Sequence, residues 1–149
     1  KFYPVTIRSI HNSIRENVTE ASDQGQFCFA VKFTNSKQYI ERRQIKKGMV
    51  LINDLVKWEK NIVKKFMARI TILQHSTTIK AGYSPLIHCG PIRQTAQLEL
   101  VDQSKPLRSG DSSFVNFRFR YHSEFMEKNM IFFFRDGNTK GVGEVIELK

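Results

Sequence analysis

The side chains best suited to catalysis or metal binding are few and scattered. The 149 residues contain four histidines and two cysteines: His11, His75, His88, His122, Cys28 and Cys89. None of the histidines falls in a nucleophile or zinc-binding motif. His88 beside Cys89 could form part of a metal site, but their strand-like surroundings favour core packing. Both cysteines lie in apolar runs, which predicts buried free thiols and agrees with a reducing compartment. We therefore predict no catalytic residue and no metal site.

Glycines near the carboxyl end do not form a phosphate-binding loop. Such a loop needs spaced glycines followed by a lysine and a hydroxyl, so that backbone N–H groups and the ammonium surround the phosphate. Gly137, Gly141 and Gly143 fit neither this spacing nor a dinucleotide-binding motif. They are better interpreted as hairpin glycines and points of close backbone approach. We therefore expect no cofactor and no GTP binding in this chain alone.

The strongest chemical signal is positive charge. The formal net charge is +10, which suggests a polyanionic partner, most often nucleic acid. Arg42, Arg43, Lys46 and Lys47 form a candidate secondary basic patch. Lysine and arginine attract phosphates without reading sequence. The alternative is a solvated face that binds nothing.

Alternating apolar residues predict the strands that would carry these charges. Phe66, Ala68, Ile70 and Ile72 share one side of a strand, and Val115, Phe117, Phe119 and Tyr121 share one side of another. Further strands are predicted over Leu86–Cys89, Ile92–Leu100, Met130–Phe134 and Val142–Leu148, with Gln94 interrupting an apolar side. Because Met130–Phe134 is apolar on both faces, we expect it to be covered on both. Short, evenly spaced strands indicate an all-β barrel or sandwich.

The first 52 residues also have a strand pattern. Strands are predicted over Tyr3–Ile10, Val18–Ala21, Phe27–Phe33 and Met49–Ile52. Phe27, Phe29, Val31 and Phe33 alternate in register, which predicts that they face inward. The segment 53–65 joins the two parts, as a short amphipathic helix or as an extended linker. Trp58 is expected to pack this linker against a barrel.

Four sequence words carry a resemblance to a known family. HSTTIKAGYSP, HCGPIRQTA, LRSGD and FFRDGNTKGVGEV occur in the order found in the third domain of translational GTPases, the relatives of elongation factors Tu and one-alpha. The wording HCG-IRQTA is most similar to the GTP-binding protein one and two branch. Ile40, Ile45, Lys47, Gly48 and Met49 resemble the word that ends the second domain.

The resemblance implies two small antiparallel β-barrels. Residues 1–52 would be the carboxyl-terminal part of a second-domain barrel, incomplete because its opening strands are absent. Residues 53–65 would be the linker, and 66–149 a third-domain-like Greek-key barrel. The chain starts at Lys1 without a methionine, which we interpret as a fragment of a longer cytoplasmic protein. Exposed strand edges in the incomplete barrel could cause the isolated fragment to dimerise.

The same resemblance implies a binding role. The chain would contact transfer RNA or the ribosome and dock on the GTPase domain, and Met130–Phe134 could serve that docking. The full-length parent would hydrolyse GTP with Mg²⁺ in a domain absent here. Carried over from the family, the candidate RNA-binding residues are Lys80, Gly82, Tyr83, Ser84, Arg93, Gln94, Thr95, Lys140 and Gly141. The alternatives are a protein-interaction barrel without RNA binding and a small-molecule-binding barrel enzyme.

Overall fold

The computed structural model describes residues 2–35, 39–100 and 106–149. The chain divides into two compact units, Lys1–Ile45 and Lys46–Lys149. The division into a second-domain-like part, a linker and a third-domain-like barrel stays a prediction. Among the residues described, no helix combines the length and the apolar character that a membrane crossing requires.

The first unit is a three-stranded antiparallel sheet. Its strands are β1 (Val5–His11), β2 (Asn17–Val18) and β3 (Cys28–Phe33), in the order β2-β1-β3. The turn between β1 and β2 forms because the Asn12 side chain accepts hydrogen bonds from the N–H groups of Ile14 (3.1 Å) and Glu16 (2.9 Å). A 3-10 helix follows at Arg42–Gln44.

The strands of this sheet were predicted, but the burial of their apolar residues was not correct. Phe29 is 39% exposed, whereas alternation had placed it inside. Cys28 is also exposed, whereas its apolar run had predicted a buried thiol. Burial needs a second layer, and the described residues of this unit provide one sheet only.

The second unit begins with a segment that packs on a barrel. The strand predicted at Met49–Ile52 is absent, because none of the described residues pairs with it. A single turn of helix, α1 (Leu55–Trp58), starts where the Asp54 side chain accepts a hydrogen bond from the N–H of Lys57 (3.2 Å), and a 3-10 turn (Glu59–Asn61) follows. The short-helix alternative is therefore the correct one.

Two contacts hold this segment against the barrel. The Trp58 ring lies 5.8 Å from that of Phe125, and Asn61 Nδ2 donates to the Met126 carbonyl (2.7 Å). Strands β4 (Ile62–Val63) and β9 (Glu124–Phe125) pair beside them. The predicted packing role of Trp58 is confirmed.

Six antiparallel strands close the barrel in the order β10-β11-β5-β8-β7-β6. They are β5 (Lys65–Gln74), β6 (Leu86–Cys89), β7 (Ile92–Leu100), β8 (Ser112–Phe119), β10 (Ile131–Asp136) and β11 (Thr139–Leu148). The expected all-β class with a closed antiparallel barrel is confirmed, and the remaining strands form the two smaller sheets.

The barrel core follows the predicted alternation. Phe66, Ala68, Ile70 and Ile72 are fully buried along β5. Five phenylalanine rings fill the centre: Phe66, Phe117, Phe119, Phe132 and Phe134. Tyr121 was predicted to continue this row but is 67% exposed, since β8 ends at Phe119.

Candidate nucleic-acid interface

The outward residues of four neighbouring strands form a surface of cations around one exposed aromatic ring. We call it the basic–aromatic face and define it as Phe133, His88, Arg93, Arg135 and Lys140. These residues lie on β10, β6, β7 and β11, which are adjacent in the order β11-β10-β6-β7. Their inward neighbours along each strand are buried, so strand alternation directs all five outward.

The first of two cross-strand rows contains Arg135 and Lys140. Arg135 is paired with Lys140 on β11 and with Leu86 on β6, and Leu86 is paired with Thr95 on β7. Directly paired residues share a face of the sheet. With a strand spacing of about 4.8 Å, Lys140 and Thr95 are about 14 Å apart at the backbone.

The second row contains Phe133, which lies two residues before Arg135 on β10 and therefore on the same face of the sheet. Phe133 is paired with Val142 on β11 and with His88 on β6, and His88 is paired with Arg93 on β7. The Phe133 side chain is 60% exposed. His88 Nε2 is buried, with no hydrogen-bond partner in the described part of the chain. His88 was predicted to be a packed core residue, but it lies half-buried on this outer face.

Charge on this face is not compensated locally. Among the described residues, no carboxylate lies within ion-pair distance of Arg93, Arg135 or Lys140. Asp136 contributes the one carboxylate of a shallow depression of about 300 Å³ lined by Leu86, His88, Arg93, Arg135, Asp136 and Gly137. Three positive charges therefore face solvent together.

Cations on strands β5 and β8, across the barrel, have carboxylate partners. Glu99 accepts a hydrogen bond from Lys65 (2.6 Å) and lies 3.5 Å from Arg118 on β8. The hydrogen bond from Lys65 is the main reason that the pKa of Glu99 is lowered. On β5, Arg69 pairs with Glu144 (3.0 Å). Arg93, Arg135 and Lys140 differ from these cations because no carboxylate of the described residues pairs with them.

The predicted Gly82–Ser84 segment lies beside β7. The N–H of Gly82 donates to the Leu98 carbonyl (2.8 Å), and the N–H of Leu98 donates to the Tyr83 carbonyl (2.7 Å). Gly82 has φ +90°, a conformation that favours glycine. Ser84 Oγ donates to the Gly82 carbonyl (3.0 Å), and Lys80, which precedes the turn, is exposed.

Tyr83 connects this segment to the start of β11. Its ring meets the His75 ring edge-on at 5.8 Å, and His75 Nδ1 is 2.7 Å from the Thr139 hydroxyl, next to Lys140. Burial raises the pKa of the Tyr83 phenol, although the nearby Thr139 hydroxyl acts in the opposite direction. The structure therefore brings the predicted segments around residues 80–84, 93–95 and 140–141 to one region of the barrel.

Two of the candidate residues point inward. Gln94 is 3% exposed; its Nε2 donates to Glu124 Oε1 (2.7 Å) and its Oε1 accepts from the N–H of Tyr121 (2.8 Å). Gly141 lies under the Phe134 ring. No side-chain contact with a ligand is available at either position, because both are enclosed by the barrel.

The secondary basic patch is divided between the two units. Arg42 and Arg43 belong to the first and Lys46 and Lys47 to the second. Arg43 is ion-paired with Glu41. All four side chains are exposed, and their role in binding stays a prediction.

Sequence reasoning missed Phe133, Arg135 and His88 as interface residues. The signal was present in the run Ile131–Asp136, where Phe132 and Phe134 alternate with Phe133 and Arg135. Because the phenylalanines in this run are consecutive, the sequence pattern does not indicate which ring faces outward. The cross-strand register, which places Arg135 between Lys140 and Leu86, supplies the missing information.

Comparisons with known proteins agree with this architecture. No protein-family model matches the chain. A solved structure of Sup35 complexed with GDP matches 99% of the chain and 38% of that protein, with a TM-score of 0.71 and 16% identity. At that identity the match shows the fold alone.

Sequence relatives identify the class. Elongation factor 1-alpha from Cenarchaeum symbiosum is 32% identical over 53% of the chain and 21% of its own length. These matches are consistent with the C-terminal region of a translational GTPase, as the sequence words predicted.

Within that class, the chain is homologous to part of GTP-binding proteins 1 and 2. GTP-binding protein 1 of Xenopus laevis is 36% identical over 99% of the chain, and human GTP-binding protein 2 is 35% identical over 73%. The chain spans about a fifth of the length of each relative, 21% and 18%.

Proposed function

We propose that this chain contacts RNA, either transfer RNA or ribosomal RNA, through the basic–aromatic face. The observation that carries the proposal is the grouping of Arg93, Arg135 and Lys140 without ion-pair partners in the described residues. Phosphate contacts of this kind provide affinity that is independent of sequence and falls with salt. Lys80 extends the same charge near the Gly82–Ser84 segment.

The parent protein is proposed to be a cytoplasmic GTP hydrolase that uses Mg²⁺. The support is the homology to GTP-binding proteins 1 and 2. The sequence of this chain holds no glycine-rich phosphate loop, so its residues do not fit GTP, and the nucleotide is assigned to another domain of the parent. In that arrangement the present chain binds RNA and docks on the GTPase domain.

A second candidate function is protein interaction without RNA binding. Ile131 and Phe133 are both exposed on the outer face of β10, and their side chains could pack against a GTPase domain or another protein. This candidate does not account for the three cations beside Phe133. An enzyme built on an internal ligand cavity has less support, because phenylalanine rings fill the barrel.

Self-association of the isolated chain is a further proposal. β3 is an edge strand, and the described residues show no partner for its outer side. Such edges can pair with a second copy. Sedimentation velocity across a range of concentrations tests this: a concentration-independent monomer would reject it.

Salt-titrated binding of labelled transfer RNA tests the RNA proposal. The double variant Arg93→Gln/Lys140→Gln is expected to weaken binding and reduce the slope of log affinity against log salt by about 1 for each lost phosphate contact. The matched control is the double variant Arg69→Gln/Arg118→Gln on β5 and β8, which removes the same number of positive charges outside the basic–aromatic face.

The result distinguishes the two candidate functions. Equal losses in the double variant and the control would indicate net charge alone and reject the basic–aromatic face as the RNA site. No binding at low salt would favour the protein-interaction function.

A further inference from the structure

We infer that Phe133 is a stacking platform for an unpaired base, so that the basic–aromatic face binds single-stranded RNA in preference to a duplex. The inference rests on the proposed RNA contact and adds the class of RNA that this site accepts. The positive charge of the face would attract an RNA duplex and a single strand alike. The exposed Phe133 ring favours the single strand, because only unpaired bases can stack on it.

The position of the Phe133 ring in the sheet supports base stacking. Phe133 lies within β10, where its backbone pairs with Val142 on β11 and with His88 on β6. The adjacent rings, Phe132 and Phe134, are buried in the core. The Phe133 backbone is therefore fixed, and the residue is 60% exposed. An aromatic side chain has only two torsion angles, so ordering it under a stacked base costs little conformational entropy.

Polar and positively charged side chains surround the Phe133 ring. His88 lies directly across on β6, and Arg93 lies beyond it on β7. Arg135 is two residues along β10, and Lys140 lies opposite Arg135 on β11. Sites for single-stranded nucleic acid combine an aromatic ring for a base with cations that follow the backbone. In a duplex, the bases are already stacked on each other and their faces are not accessible to a protein ring.

The unpaired cations around Phe133 favour RNA over a protein partner. An apolar protein surface docking on Phe133 would bring Arg93, Arg135 and Lys140 into its rim. The face supplies no ion-pair partner for these three among the described residues, so the partner would need matching negative charge. A polynucleotide provides regular negative charge together with flat apolar bases, and it satisfies both requirements at once.

Phe114 provides a control on the same barrel. It faces outward from β8, is 50% exposed, and is paired with Arg69 on β5. Arg69 is already bound to Glu144, and β8 is three strands from β10 in either direction. Phe114 therefore offers a similar exposed ring without free cations, on the opposite wall.

The experiment compares a single-stranded RNA of mixed sequence with the duplex of the same strand, by fluorescence anisotropy at fixed salt. Phe133→Leu keeps an apolar side chain and removes the ring. We expect it to weaken single-strand binding by about 5- to 150-fold, the range that corresponds to the loss of one stacked base. Duplex binding should change little. Phe133→Trp should retain or strengthen single-strand binding, and Phe114→Leu should match the unsubstituted protein.

The outcomes separate this inference from the proposed function. If Phe133→Leu binds the single strand as well as the unsubstituted protein does, while Arg93→Gln/Lys140→Gln loses affinity, RNA contact stands and stacking is rejected. If both single strand and duplex fail to bind at low salt, the RNA contact itself is rejected. Thermal unfolding of each variant checks that the exposed substitutions leave the barrel intact.

Discussion

Strand β3 in the first unit and strand β5 in the barrel have closely similar sequence patterns. Phe29, Val31 and Phe33 alternate along β3 as Phe66, Ala68 and Ile70 alternate along β5. Phe66 is fully buried, whereas Phe29 is 39% exposed. The difference lies in what surrounds each strand: β5 pairs on both edges within a closed barrel, and β3 pairs on one. Alternation thus predicts a strand, but burial depends on the layer that covers it.

Removing a ring from each strand should produce the largest contrast. Phe66→Ala is expected to lower the free energy of unfolding by about 3–5 kcal/mol, because it leaves a cavity in a packed core. Phe29→Ala should cost less than about 1 kcal/mol, as is usual for partly exposed positions. Urea titration followed by Trp58 fluorescence measures the unfolding of the second unit for Phe66→Ala, and amide hydrogen exchange along β3 measures the stability of the first unit for Phe29→Ala. An equal loss in Phe29→Ala would show that the two strands are not in different environments.

Adding a methyl group at Gly143 tests how closely the phenylalanine rings pack against the backbone of β11. A Cβ at Gly143 would lie 2.3 Å from Phe132 Cζ, so Gly143→Ala must displace the ring or the backbone. We expect a loss of about 1–3 kcal/mol or more. Gly90→Asn is the control, since nothing lies within 4 Å of a Cβ there and asparagine tolerates its φ of +52°.

A second substitution sharpens that test. The double variant Phe132→Leu/Gly143→Ala should lose less stability than the sum of the single variants, because the smaller side chain relieves the clash. Strictly additive losses, measured by urea unfolding, would mean that the ring does not cause the effect.

Thiol reactivity compares the two cysteines, one in each region. Cys28 is exposed on β3, while Cys89 is 3% exposed and burial raises its pKa, which reduces the thiolate that reacts. Cys28 should react with an aromatic disulfide reagent at least about tenfold faster at neutral pH. In Cys28→Ser the fast phase should disappear. Two thiols reacting at the same rate would contradict the difference in burial.

The smallest expected effect comes from Glu99 on the barrel wall. Its pKa is lowered in the folded chain, chiefly by the hydrogen bond from Lys65, so it stabilises the fold above the unfolded pKa of about 4.3. That stabilisation is lost as the pH falls through the folded pKa. Because the Glu99 side chain is 37% exposed, the contribution should stay below about 1 kcal/mol. Unfolding of Glu99→Gln between pH 7 and pH 3 should lack this component, and an unchanged pH profile would exclude it.

Much of the barrel was predictable from individual residues. The inward rows Phe66–Ile72 and Val115–Phe119 follow the predicted alternation, and β6 and β7 have the predicted bounds. Gly141 and Gly143 are points of close approach, as expected, because the Phe134 and Phe132 rings cross them. The strand expected at Met49–Ile52 failed because local apolar character does not supply a pairing partner.

The candidate site was only partly predictable. Family resemblance led to Arg93, Thr95 and Lys140, which do lie outward on neighbouring strands, and to Gln94, which is buried in a hydrogen-bond network. Phe133 and Arg135 were missed because the pairing of β10 with β6 joins segments that are distant along the chain.

The sequence by itself determined where strands form, which rings alternate and how much positive charge the chain carries, because each depends on residues close together along the chain. Tertiary structure alone decided that β10 lies between β11 and β6, which gathers Arg93, Arg135 and Lys140 around Phe133. It also decided that Phe66 is covered and Phe29 is not. The pairing of β10 with β11 is a local hairpin, but its pairing with β6 joins segments far apart along the chain. The burial of Phe66 likewise depends on strands from distant segments that close the barrel around it.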